Sequence, residues 1–259
     1  MIKPDTNRIS DCLSNKEDIL TIYFTAGYPS LDDTMPILRA LENSGADMIE
    51  IGIPFSDPVA DGPTIQESNM KALKNGMTVS YLFEQVNGLR EHVTIPDLIL
   101  SSLNPIMQFG MDKFCQKCQE VGINGLIIPD LPLTEYEELY RDKFRAYGLT
   151  NILLITPSTT PDRVRKIDEL TDGFIYMVSS SSTTGNQQGL SEDQIDYFKS
   201  IQDMELNSPL LTGFGIYDKS SFQSVCKYSR GGIIGSAFIK ALKGDDVVAE
   251  TENFISSIR

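Results

Sequence analysis

The sequence predicts an α/β fold of the (β/α)8 TIM-barrel type with an extra N-terminal helix, and three observations carry the prediction. Eight short β-branched runs alternate with longer stretches of helical period. The chain has 259 residues and no Pro/Gly/Ser-rich linker interrupts the series, so 1–259 reads as one domain. The first run leads into Thr25-Ala-Gly-Tyr-Pro29 rather than the G-x-G-x-x-G turn common in an open doubly wound sheet, the main competing architecture.

Thr6–Leu13 reads as a helix ahead of the barrel. The strand candidates are Leu20–Phe24, Met48–Ile51, Leu98–Leu100, Leu126–Ile128, Ile152–Ile155, Phe174–Val178, Leu210–Thr212 and Gly232–Ile234. Each is too short for a helix and is bounded by Gly, Pro, Ser or Asp. Their near-continuous apolar character suits a parallel sheet covered on both faces. Helices are predicted over Leu31–Ser44, Val79–His92, Met111–Glu120, Thr134–Tyr147, Pro161–Leu170, Asp193–Met204, Lys219–Lys227 and Val247–Ile258. Ser30 can cap the first, while Gly45, Gly122 and Gly148 stand where a left-handed residue ends a helix.

Charge and composition remove several function classes. Lys and Arg total 22 against 36 Asp and Glu, a net charge of −14 that repels nucleic-acid backbones and anionic lipid. Nothing approaches the roughly 20 apolar residues of a membrane span, and the first residues carry no apolar leader run, so a cytoplasmic location is expected. Cys115 and Cys118 have C-x-x-C spacing but no second pair, and His92 is the single histidine. That disfavours a zinc centre, other His-ligated metals and a histidine-based triad. No metal is expected.

In a (β/α)8 barrel the chemistry sits at the carboxyl ends of the strands. The second of these ends, Met48 to Pro63, is the most informative. Alternation puts Met48, Glu50 and Gly52 on one face and Ile49, Ile51 and Ile53 on the other. With the isoleucines under the helices, Glu50 points into the barrel mouth, where desolvation raises its pKa as a proton-transferring acid requires. The alternative is a structural glutamate. Asp57 and Asp61 follow in a proline-stiffened loop and read either as turn and capping residues or as the second member of a carboxylate pair. Asp130, after the fourth strand, is a third candidate or a loop anchor.

Gly213-Phe-Gly215 and Gly235-Ser236, at the last two strand ends, resemble a phosphate cradle, since glycines let backbone N–H groups approach an anion. The polar stretch Ser179–Gly189 reads as a mobile lid or as a plain surface loop. Tyr176 can offer a phenol to the pocket or serve the core. No strand end carries a lysine, which removes a Schiff-base aldolase. What remains is cofactor-free acid–base work on a phosphorylated, partly apolar substrate.

The segment Glu50-Ile-Gly-Ile-Pro-Phe-Ser-Asp-Pro-Val-Ala-Asp-Gly-Pro-Thr-Ile-Gln66 resembles the signature of the tryptophan synthase α chain family. Thr25-Ala-Gly-Tyr-Pro29, Asn104-Pro105, Gly125–Pro132, Gly213–Ile216 and Gly235–Ala237 extend the likeness along the chain. The resemblance implies a lyase that cleaves indole-3-glycerol phosphate to indole and glyceraldehyde 3-phosphate, with indole passed to a β subunit in an α2β2 assembly. It implies that Glu50 is the acid–base residue, that Asp61 holds the indole N–H, and that Tyr176 stands beside the glutamate. It further places Tyr23 and Phe214 around the indole, Gly185, Gly215, Gly235 and Ser236 at the phosphate, and Thr184 where it steadies Asp61. Asp57 and Asn104 fall where the family meets its β subunit, and pyridoxal phosphate is expected only on that partner.

Two positions depart from the family pattern. Ser179–Ser182 replaces its usual Ser-Arg-x-Gly, and Ser102 stands where a tyrosine is common. A stand-alone indole-releasing lyase, an indole-glycerol-phosphate synthase, and a catalytically weak subunit that mainly stimulates β are the competing readings. The synthase relies on strand-end lysines that this sequence lacks.

Overall fold

The computed structural model describes residues 8–58, 61–179, 190–213 and 215–259. Eight parallel strands close into a barrel in sequence order. They are β1 (Ile19–Thr25), β2 (Met48–Gly52), β3 (Asp97–Leu100), β4 (Gly125–Ile127), β5 (Thr150–Ile155), β6 (Ile175–Val178), β7 (Leu210–Gly213) and β8 (Gly231–Ile234). Pairing of Ile19 with Gly231 and of Ile22 with Ile234 joins the last strand to the first and removes both sheet edges. The open doubly wound alternative is thereby excluded.

Side chains divide between the two faces of the wall. Ile19, Met48, Leu98, Ile127, Ile152, Phe174, Leu211 and Ile233 form one interior cluster, joined by Ile9, Cys12 and Leu13 of the helix Arg8–Asn15. This N-terminal helix stoppers the amino end of the barrel, and each fully buried aliphatic side chain there contributes about 1.5–3 kcal/mol relative to exposure. Ile49, Ile51 and Ile53 belong to the second, outer cluster with helix residues such as Ile37, Leu41 and Phe114. The period of two read from the sequence therefore holds at β2. Gly45 and Gly122 end their helices at φ 99° and 86°, a conformation that costs a residue with a Cβ.

The structure corrects several boundaries. The stretch Val79–His92 is α-helical only over Val79–Gln85, because Gly88 at φ 74° starts a separate 3-10 turn, Leu89–Glu91. The helix expected over Thr134–Tyr147 contains a π turn at Tyr136–Tyr140. Ser30 precedes a 3-10 turn, and there its own N–H donates to Asp33 Oδ2 at 2.9 Å. Two helices were not expected: Pro63–Asn75, with proline in its first turn, and Leu103–Phe109, entered from Ser102. Cys115 and Cys118 are buried thiols inside the helix Met111–Val121. None of the described helices is long and apolar enough to cross a membrane.

Candidate functional site at the carboxyl end of the barrel

Glu50 sits in β2 opposite Tyr23 of β1 and Leu98 of β3. It is 0% exposed, and neither carboxyl oxygen has a hydrogen-bond partner among the described residues. Burial pushes its pKa up to about 8. A carboxyl group so placed is protonated at neutral pH and has a proton to give. A structural glutamate would be expected to bond its buried oxygens to neighbours; Glu50 leaves both open.

Asp61 lies between β2 and the helix Pro63–Asn75 and is half-buried. Burial raises its pKa, while the side-chain amide of Asn69, donating to Asp61 Oδ2 at 3.4 Å, opposes the rise. Gln66 Nε2 donates to the Asp61 backbone carbonyl at 2.8 Å. The helix thus holds the aspartate at both its main chain and its side chain. Tyr176 and Tyr23 complete the group. Burial first, and then the carboxylates of Glu50 and Asp61, push both phenols up, so that each keeps its proton through the neutral range. Tyr23 stands opposite Glu50 in the β1–β2 register, and the charges of Glu50 and Asp61 act on both phenols.

Small residues make room for the rings. A Cβ on Gly52 would come within 2.6 Å of Tyr23 Cζ, and one on Gly213 within 2.5 Å of Tyr176 Cζ. The hydroxyl end of each tyrosine therefore occupies the space a side chain would take at a glycine of an adjacent strand. Gly215 has φ 78°, and Gly235 precedes the short helix Ser236–Ala241, whose first intrahelical bond runs from Ile239 N–H to Gly235 O. The N–H groups of the first turn are free of that ladder, as an anion-binding strand end requires.

Not every candidate joins the group. Asp130 is exposed, and its Oδ1 accepts the Leu103 N–H at 2.8 Å; it anchors the loop after β3. Asp57 and Asn104 are exposed in segments that follow β2 and β3. Thr184, Gly185, Phe214 and most of the stretch Ser179–Gly189 lie outside the described residues. Sequence reasoning missed Ser68, Asn69 and Gly52. Pro63 after Gly62, with Gly76 thirteen residues on, was the signal that could have found the helix bearing the first two.

Comparison with known proteins places the whole chain in one family. A family model described as tryptophan synthase alpha chain matches residues 9–257. The tryptophan synthase alpha chain of Flavobacterium psychrophilum is 54% identical over 252 residues, covering 97% of this chain and 96% of that protein. The one from Bacteroides thetaiotaomicron is 54% identical over 238 residues, covering 92% and 93%. The crystal structure of tryptophan synthase alpha chain from Legionella pneumophila superposes with a TM-score of 0.86 at 30% identity, covering 98% of this chain and 96% of that one. With a full-length family match, close relatives and a shared barrel, this chain belongs to the tryptophan synthase alpha chain family.

Proposed function

We propose that Glu50, Asp61 and Tyr176 carry the lyase reaction of this family, and that the observation supporting it most strongly is the unpartnered, buried carboxyl of Glu50. The alpha chain cleaves indole-3-glycerol phosphate and supplies indole to a β subunit. Cleavage needs a proton on the ring carbon that is released and removal of one from the neighbouring hydroxyl. Protonated Glu50 supplies the first. The ring, now cationic, takes back the electron pair of the breaking C–C bond and leaves as indole. The hydroxyl-bearing carbon becomes the aldehyde of glyceraldehyde 3-phosphate, and its O–H proton returns to the Glu50 carboxylate. One carboxyl therefore gives and regains one proton per turnover.

Asp61 accepts the indole N–H and so favours charge on the ring, and Thr184 steadies it. Tyr176 offers a phenol beside Glu50. Tyr23 and Phe214 flank the indole, while Gly185, Gly215, Gly235 and Ser236 hold the phosphate through main-chain amides. Asp57 and Asn104 meet the β subunit in an α2β2 assembly. The chain works without a cofactor of its own, pyridoxal phosphate belonging to the β subunit, and it acts in the cytoplasm.

Steady-state release of indole from indole-3-glycerol phosphate, with and without β subunit, tests this reading. Turnover that rises strongly on adding β supports it. Absence of turnover in both conditions, together with stimulated β activity, would leave this chain a scaffold rather than a lyase.

A further inference from the structure

Three hydroxyl groups run in a line from the pocket into the helix Pro63–Asn75. Tyr23 Oη lies 3.3 Å from Thr25 Oγ1, Thr25 Oγ1 lies 2.7 Å from Ser68 Oγ, and Ser68 Oγ lies 2.8 Å from the Ile65 carbonyl oxygen. The last group in the line can only accept. Ser68 therefore donates to Ile65, which leaves its oxygen to accept from Thr25, which in turn leaves Thr25 to accept from Tyr23. This direction makes all three bonds; the reverse one loses the bond to Ile65. A buried relay takes the direction that satisfies most of its members. The consequence is that the Tyr23 proton is directed at Thr25 and the phenol oxygen keeps a lone pair for another donor.

The ring's location says which part of a substrate that lone pair meets. A Cβ on Gly235 would lie 3.3 Å from Tyr23 Cδ1, and the hydroxyl end of the same ring covers Gly52, two residues beyond Glu50. Tyr23 thus reaches from the Gly235 strand end to the acid. On the proposed reading, the three-carbon chain joining ring to phosphate must pass there, and that chain carries hydroxyl donors. Glu50, with both oxygens unpartnered, is not bonded to Tyr23 and does not compete for its lone pair.

We propose that Tyr23 is a specificity-determining residue, its phenol oxygen accepting a hydrogen bond from a hydroxyl on the chain between the substrate's ring and its phosphate. The inference rests on the indole-3-glycerol phosphate reading, and goes beyond it by assigning the phenol oxygen a partner and the Thr25–Ser68 relay the task of presenting it.

The test compares two ligands on two variants. Tyr23→Phe removes the acceptor, and Thr25→Val removes the group at which the phenol proton is directed. Each should raise KM for indole-3-glycerol phosphate by about five- to tenfold with kcat little changed, as loss of one neutral hydrogen bond made equally in ground and transition states does. An analogue with the same indole and phosphate joined by a propyl chain has no hydroxyl to lose, and its Kd should stay within about twofold, since nothing it contacts has lost a partner. Equal weakening of both ligands in both variants, or no change in either, would overturn the proposal. Should one variant fail to fold, the other gives the same comparison. If the unaltered protein neither cleaves the substrate nor binds the propyl analogue, the lyase reading itself fails, which is a different result from either.

Discussion

Glu50 and Asp97 stand on neighbouring strands, one rung apart in register, and both are 0% exposed. Their surroundings differ. Asp97 begins β3 on the outer face, where Arg90 Nη2 meets Asp97 Oδ1 at 2.6 Å. The same guanidinium donates to the carbonyls of Gly122, Val93 and Ile95 and to Asn124 Oδ1. Glu50 faces the interior, and among the described residues neither of its oxygens has a hydrogen-bond partner and no cation offsets its burial. Burial lifts both carboxyls, but Arg90 offsets part of the rise at Asp97, which titrates at about 6 against about 8 for Glu50. The fold supplies a partner to one buried acid and, among the described residues, none to the other, which is what the proposed proton-giving role of Glu50 requires.

The sharpest way to break that contrast is to neutralise Glu50. Glu50→Gln keeps the size of the side chain and removes its proton; lyase turnover should fall about 10²- to 10⁴-fold, the usual worth of a positioned acid–base group. Calorimetry of the same variant should show a fold at least as stable as the parent at pH 8, because an unpaired buried carboxyl costs free energy once ionised. Turnover near the parental value would end the assignment.

Arg90 should give the opposite pattern. Arg90→Met leaves Asp97 without its counter-charge and strands several carbonyls, so denaturant unfolding should report a loss of about 3–5 kcal/mol, the range for one broken buried pair. The folded fraction should still turn over at the parental rate. A variant of parental stability but impaired kcat would reverse the roles given to the two faces.

A smaller effect follows from linkage. Both acids have pKa values raised in the folded state, so the stability each contributes is intact below the ordinary carboxylate range and is lost as pH rises, through about 6 for Asp97 and about 8 for Glu50. Unfolding free energy should therefore decline from pH 5 to pH 8, and Glu50→Gln should flatten the upper part of that decline. An unchanged slope in the variant would show that Glu50 ionises normally.

The same contrast explains what could be read in the sequence. Glu50 was legible because Ile49, Ile51 and Ile53 alternate with it, and a period of two allows only one face to the core. The barrel was legible for a similar reason, its eight apolar runs being too short to be anything but strands. The helix Pro63–Asn75 was not. Its buried positions are Ile65, Ser68, Asn69 and Ala72, which have helical spacing, but two of the four are polar and break the apolar pattern that marks a helix. Those two residues hold Thr25 and Asp61, so the features that hid the helix are the ones that serve the site. The helix Leu103–Phe109 was not legible either; it is two turns long, and its proline falls in the first turn, where the missing N–H costs nothing. Asp130 had two readings with no sequence signal to choose between them; its bond to the Leu103 N–H decides for the anchor.

The most direct test of the account is to titrate the Glu50 carboxyl itself by difference infrared spectroscopy between the parent and Glu50→Gln. A protonated carboxyl band present at pH 7, disappearing with a midpoint near 8 and missing from the variant, is the predicted result. Complete ionisation of Glu50 by pH 5 would contradict it, since a carboxylate already charged there has no proton to give the ring.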